Sequence, residues 1–302
     1  MARRRRNGRN VHGILLLNKP VGISSNAALQ VVKRLFNANK AGHTGSLDQL
    51  ASGLLPICLG EATKFSGFLL DADKYYQAEC ALGVTTTTAD AEGEVLQTRD
   101  VEAINKHDID NIIKKFIGTT EQVPPMYSAL KHKGQALYKL ARQGKTIERK
   151  ARSITIYDLQ LKNWTKDRLD IEVHCSKGTY IRTLAEDIGE ALGCGAHISA
   201  LHRFGVGKYR DMFDIATLED YANQGGLEAL DNLLLPMDTI LHYPKVILSS
   251  DIAYYFKQGQ AVQVAKAPTD GFVKLFTDEA IFLGLGKILE DGRIAPKRLI
   301  NL

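Results

Sequence analysis

Ala41-Gly-His-Thr-Gly-Ser-Leu-Asp-Gln-Leu-Ala-Ser-Gly53 runs directly into Leu54-Leu-Pro-Ile-Cys-Leu-Gly60. The second half is an apolar run of strand length and reads as a buried strand. The first half holds one carboxylate, Asp48, among Gly42, Gly45 and Gly53, with the imidazole of His43 five residues ahead of it. Glycine lets the backbone take positive φ or approach another group closely. A loop that feeds a buried strand is a common place for catalytic side chains. The same residues would also make a plain turn in which Asp48 caps a backbone amide. The stretch therefore yields a strand and a candidate carboxylate at its mouth.

Outward from this loop, residues 11–18 read as a strand closed by the Lys19-Pro-Val-Gly22 turn. Lys19 and Pro20 read as structural, fixing the turn beneath the carboxylate. Ser24 or Ser25 suits a helix N-cap, and Ala28, Leu29, Val32, Leu35 and Phe36 follow at helical spacing. A short helix is expected over 61–70, a strand over 74–83 with Tyr76 near its start, and a polar loop over 85–92. Helical spacing returns at 108–117, stopped by Gly118, and at 135–143. Pro124 and Pro125 exclude a regular helix between them. Met126 and Tyr127, which follow, either contact a base or pack their neighbourhood onto the core.

Residues 153–164 and 168–176 predict a hairpin across Thr165-Lys-Asp167. An amphipathic helix is expected over 179–192, with Gly193 as its C-cap. Strand character returns at 197–209, and helical segments at 217–235. Hairpins mixed with helices imply an α+β domain on a mixed, largely antiparallel sheet, spanning 11–245. Past Tyr243-Pro-Lys245 the chain becomes a run of short strands, with Asp291-Gly292 as a hairpin turn. Residues 246–302 are thus expected to form a second, small β unit.

The chain has 302 residues, 44% of them hydrophobic and 24% charged, enough for one large core and a small one. No apolar run reaches the roughly 20 residues that span a bilayer. The basic N-terminus is not followed by a signal-peptide core. A cytoplasmic location is the expectation. Cys58, Cys80, Cys175 and Cys194 form no Cys-x-x-Cys pair and no zinc spacing, so reduced thiols and no metal are expected. A phosphate-binding glycine loop and a dinucleotide fingerprint are also missing, and no cofactor is expected.

Net charge is +5, and the arginines at 3–6 supply four of those charges in what reads as a basic arm over 1–10. A second basic segment matters more. Between 131 and 152, Lys131, Lys133, Lys139, Arg142, Lys145, Arg149, Lys150 and Arg152 face Glu148 alone, a local charge of +7. Such an island either binds phosphates, releasing counterions, or is a solvated face. Charges of one sign do not pair along a helix, which weakens the second option.

Gly42-His-Thr-Gly-Ser-Leu-Asp48 with Ala51-Ser-Gly53 resembles the active-site signature of the TruB family of tRNA pseudouridine synthases. Leu16-Leu-Asn-Lys-Pro-Val-Gly22, Asp73-Lys-Tyr-Tyr76 and Lys177-Gly-Thr-Tyr-Ile-Arg-Thr-Leu184 resemble three further motifs of that family, in its order and near its spacing. One position departs: Gln49 stands where the family usually has proline. The tail 246–302 is similar to the small β-barrel PUA-type RNA-binding domain of that family.

The resemblance implies a stand-alone, monomeric enzyme that isomerises uridine-55 in the T-arm loop of tRNA, with neither a membrane nor a protein partner required. It implies Asp48 as nucleophile, attacking either ring C6 or ribose C1′, and Arg182 as the cation that keeps the carboxylate charged. It assigns Tyr76 to stacking on the target base and to proton abstraction, and Tyr180 and Leu201 to the walls of the uridine pocket. His43 would fill the stack vacated by the flipped base, or bond its own loop. Lys64 would hold a phosphate, or be solvated. Read without the resemblance, Tyr76 and Leu201 are core residues. A rival from another class is an RNA-binding or RNA-folding protein in which catalysis is secondary; the basic island serves both.

Overall fold

The computed structural model describes residues 8–301. The arginines at 3–6, and most of the expected arm, lie outside the described residues. The body is an eight-stranded sheet. Its order is Gly13–Lys19, Ala51–Leu59, Ala196–Val206, Lys74–Leu82, Arg168–Cys175, Arg152–Thr165 and Gly118–Gln122, with Ala41–His43 beside Ala51–Leu59. All neighbours are antiparallel except Ala51–Leu59 and Ala196–Val206, which run parallel. The expected α+β class and largely antiparallel sheet are what the chain forms.

Alternation explains the two faces. Leu15 and Leu17 enter the main core with Ala28 and Val32 of the helix Ser25–Leu35. Ile14 and Leu16 point the other way, into a second cluster with Phe65, Leu69, Phe276 and Phe282. A strand buried on both faces reads as a continuous apolar run, and Ile14 to Leu17 are such a run, before Asn18 and Lys19 end the strand. The main core also takes in Leu184 and Ile188 of the helix Ile181–Ala191, and Ile109 and Ile113 of the helix Lys106–Lys115.

The tail forms a four-stranded sheet in the order Lys245–Leu248, Phe272–Thr277, Phe282–Ile288, Ile294–Leu299, its first pair parallel. Val262 bridges Ile294 beyond the named strands. The segment is not strands alone: Ser250–Lys257 is a helix whose Ala253 and Phe256 are buried. Ile252 and Phe256 carry the four-residue spacing, but Tyr254 and Tyr255 give the stretch strand-like composition.

Three other expectations shift. The polar loop at 85–92 begins as the strand Val84–Thr86, paired with Val95–Thr98. The helix expected over 135–143 shrinks to Leu137–Ala141, because Gln135–Ala136 pairs back on Lys131–His132. The helix Ile215–Asp231 kinks at Gly226, the residue able to take φ 62 and ψ −148. All four cysteines are buried and free. Among the described residues no helix is long and apolar enough to cross a membrane.

Candidate active site

The loop that carries Asp48 is fastened from below. Ser24 caps the first helix, accepting from the Ala27 amide at 3.1 Å. The next residue, Ser25, is buried, and its hydroxyl donates to Leu47 O (2.9 Å) while accepting from Leu47 N (2.8 Å). One side chain thus satisfies both peptide groups of the residue before Asp48. Gly22 N donates to Gln49 O at 2.8 Å. Gln49 serves through its carbonyl here, an oxygen that proline would also offer. Lys19 is fully buried, and its ammonium donates to Pro20 O (2.7 Å) and Ile23 O (2.8 Å). Gly53 has φ +105, and a Cβ there would stand 2.3 Å from Arg203 O, so only glycine lets the loop enter the sheet at this point.

Arg182 binds the loop from the opposite side. It lies in the first turn of the helix Ile181–Ala191, where a cation opposes the helix dipole. A partner offsets the misfit: its Nε stands 2.9 Å from Asp48 Oδ2. Nη1 donates to Thr88 O (2.9 Å) and lies 3.6 Å from Asp90 Oδ2, and Nη2 donates to Tyr127 O (2.7 Å). A planar five-donor fork can serve three segments at once, which an ammonium cannot. The Arg182 side chain is 5% exposed and that of Asp48 is 45% exposed, so the arginine is walled in while the carboxylate side chain keeps a face open to solvent. Behind this wall lies a cavity of about 350 Å³ between 86–89, 125–127 and the basic segment; Asp48 does not line it.

Protein surrounds the Asp48 carboxylate on its inner side. Burial raises its pKa above the ordinary 3.8, Arg182 opposes the rise, and Asp90 adds to it. Arg182 therefore limits the elevation without removing it.

Tyr76 and Tyr180 stand within reach of the Asp48 charge. Tyr76 and Leu201 are buried in the main core with Leu47. Leu201 is in register with Ala51 on one strand and Ala78 on the other. Tyr180 is pinned through its main chain: its N donates to Gln122 Oε1 (2.8 Å) and its O accepts from Gln122 Nε2 (3.1 Å). Burial pushes both phenols up, and the charge of Asp48 is felt by both. His43 ends a short strand opposite Ile57. Its Nδ1 is buried without a partner, and burial, then Arg203, lowers its pKa, favouring a neutral ring.

Lys64 does not join the group. It follows the far end of the nine-residue strand Ala51–Leu59, which places it about 25 Å along the chain direction from the loop. Its ammonium pairs with Glu61 (2.5 Å) and donates to Leu299 O (2.8 Å), while Asn301 N donates to Glu61 (2.8 Å). It fastens the C-terminal strand to the body.

Two buried groups escaped the sequence reading. Asp90 sits in a stretch with no periodic signal. Arg203 does carry one, since it stands two residues after the apolar Leu201, on the same strand face. Among the described residues no cluster of three or more His, Cys, Asp or Glu is placed to hold a metal.

Comparison with known proteins agrees over nearly the whole chain. Residues 33–181 match the family model described as TruB family pseudouridylate synthase (N terminal domain). Residues 182–242 match the tRNA pseudouridylate synthase B C-terminal domain, and 244–300 match Pseudouridine synthase II TruB, C-terminal. A tRNA pseudouridine synthase B of Nitrosococcus oceani is 59% identical over 300 residues, covering 98% of this chain and 97% of that protein. One from Coxiella burnetii is 55% identical over 296 residues, covering 97% and 96%. Among solved structures, a chain of a Cbf5-Nop10-Gar1 complex aligns with a TM-score of 0.71 at 26% identity, covering 96% of this chain and 84% of that one. The chain belongs to the TruB family of pseudouridylate synthases.

Proposed function

We propose that this tRNA pseudouridine synthase isomerises uridine-55 in the T-arm loop, with Asp48 as nucleophile. The observation that carries the proposal is the Arg182 Nε–Asp48 Oδ2 pair at 2.9 Å, with one face of the carboxylate open to solvent. The target lies inside a folded arm, so the base is extruded toward this face before reaction. The Asp48 carboxylate adds to ring C6 or to ribose C1′, and that bond breaks again before the product leaves, restoring the free carboxylate. The N1–C1′ bond breaks, the base turns, and a C5–C1′ bond forms. The proton on C5 leaves to a base, and N1 gains one, so the product is an isomer and needs no external reactant. Tyr76 stacks on the base and takes the C5 proton. Tyr180 and Leu201 wall the pocket, and His43, as a neutral ring, fills the vacated stack.

The exposed cations between 131 and 152 supply phosphate contacts in an insertion over 124–152. Residues 11–245 are then the catalytic unit, 246–302 a PUA-like RNA-binding unit, and the chain works as a monomer. Lys64, committed to Glu61 and Leu299, is left without a phosphate role.

Tritium release from 5-labelled uridine in tRNA tests the nucleophile. Asp48→Asn keeps the shape and loses the anion, so turnover should vanish while tRNA binding persists. Pseudouridine above trace level from the pure variant would sink the assignment. A transcript lacking uridine-55 should release no tritium from the native protein.

A further inference from the structure

Among the described residues Arg203 is the largest fully buried side chain, 1% exposed. Among the described residues it forms no ion pair. Its Nε donates to Leu54 O and its Nη2 to Gly45 O, both at 2.8 Å. Burying a charge without a counter-charge is costly, so fold stability alone gives no reason for it. The two acceptors flank Asp48 in the chain, one before it and one after it. One guanidinium therefore spans the segment that carries the carboxylate. Gly45 lies so close that a Cβ on it would stand 3.4 Å from Nη1. On the neighbouring strand Arg203 is in register with Tyr76, so the two side chains share a sheet face. The charged or titratable groups that face the Tyr76 phenol are Arg203, Cys175 and Asp48, and Arg203 is the cation among them.

We propose that Arg203 is a positioning residue for this reaction: it fixes the Asp48 loop to the sheet through Gly45 and Leu54, and it holds its charge beside the Tyr76 phenol. The proposal rests on the roles given above to Asp48 and Tyr76. The two tasks need different properties of the side chain. Spanning two carbonyls needs the planar fork, whereas favouring a phenolate over a phenol needs only a positive charge. Burial pushes the phenol up and Arg203 works against that push. His43, Lys19 and Lys74 also feel the Arg203 charge, which places it at the hub of the site's titratable groups.

Arg203→Lys and Arg203→Met in the full chain separate the tasks. Tritium release is followed under single turnover across pH, alongside tRNA affinity and thermal unfolding. The lysine variant is expected to lose about 10²-fold in rate through loop misplacement, while the midpoint of the rate's rise with pH stays in place. The methionine variant should lose rate and move that midpoint to higher pH. Affinity for tRNA should hold in both. A folded lysine variant at the native rate, or a methionine variant whose midpoint does not move, overturns the proposal. If the methionine variant fails to fold, Gly45→Ala tests the same attachment from the loop side. It should lower the rate, and a native rate there overturns the loop role.

Asp48→Asn and Tyr76→Phe run in parallel keep the two levels apart. Turnover in Asp48→Asn removes the site assignment and this proposal with it. If both controls are inactive while the Arg203 variants behave as native, only the Arg203 proposal falls.

Discussion

The basic residues of this chain occupy two opposite environments. Around the Asp48 loop, Lys19, Lys74, Arg182 and Arg203 are all buried. They are held mostly by main-chain oxygens: Lys74 alone donates to Leu70 O (2.6 Å) and Ala72 O (2.5 Å). Burial pulls the ammonium groups of Lys19 and Lys74 down to about 8. In the 131–152 segment, by contrast, Arg149 is half-buried and the other seven cations are exposed. A buried cation acts through the position of its donors, and salt hardly screens it. An exposed one acts through a field that decays over about 8–10 Å in physiological salt. Substitutions in the first set should therefore change the rate, and those in the second should change binding and its salt dependence.

The largest break in this contrast would come from Arg182. Arg182→Ala strands the Asp48 carboxylate and frees the Thr88 and Tyr127 carbonyls, and we expect kcat to fall by 10²-fold or more, roughly the cost of misplacing a reacting group. Arg182→Lys should recover only part of the loss, because one ammonium cannot reach Asp48, Thr88 and Tyr127 together. Native rates in Arg182→Lys would make Arg182 a mere point charge.

Next in size is the surface set. Neutralising Lys139, Arg142, Lys145 and Arg149 together should weaken tRNA binding at low salt. It should flatten the log–log salt dependence by about 0.7–0.9 for each phosphate no longer neutralised. Single-turnover rates at saturating tRNA should stay close to native. An unchanged slope would make the island a solvated face.

The acid side of the pH profile gives a smaller but sharper test. With Asp48 as the proposed nucleophile, the ionised carboxylate would be the reactive form; its pKa is raised from 3.8, with burial the leading cause. As pH falls through that raised value the carboxylate takes a proton and kcat/KM drops, so the acid limb should lie above pH 3.8. A limb at or below the ordinary carboxylate value would mean that Asp48 is well solvated.

The smallest effect is expected at Lys64. Its pair with Glu61 is partly exposed, and Lys64→Ala should cost about 1 kcal/mol or less of stability and leave the tRNA salt slope untouched. A flattened slope would return Lys64 to the phosphate-binding set.

Which of these residues could be read from sequence follows from the range of the forces that place them. The hairpin expected over 153–164 and 168–176 forms as Arg152–Thr165 and Arg168–Cys175, because alternation and a short turn are local signals. The Ser24 cap and the apolar stripe behind it are local too. Asp48 stood out because glycines surround it. Arg182 was reached through a motif. Asp90 and Arg203 have roles set by segments far away in the chain, and composition carries no trace of such pairings. The same holds for Lys64, whose acceptor at Leu299 lies on the C-terminal strand. The helix Ser250–Lys257 was missed because its paired tyrosines favour a strand on propensity, while burial of Phe256 decides for the helix.

The parallel pairing of Ala51 with Leu201 sets a clock on the ribosome. Chains emerge at about 5–20 residues per second. The strand that closes the sheet beside the Asp48 loop is therefore made on the order of 8–30 seconds after the loop itself. Until then Ala51–Leu59 can pair with Gly13–Lys19 and Ala41–His43 but has an open edge at Ala51–Gly53, and Leu47, Tyr76 and the Gly45 carbonyl lack their later partners. Pairings of such long sequence separation form slowly. A nascent chain stalled before Ala196 should therefore hold a folded first helix and hairpin beside an aspartate with no site around it. Proteolysis of arrested chains would show the 41–53 segment becoming protected only after Val206 has cleared the exit tunnel.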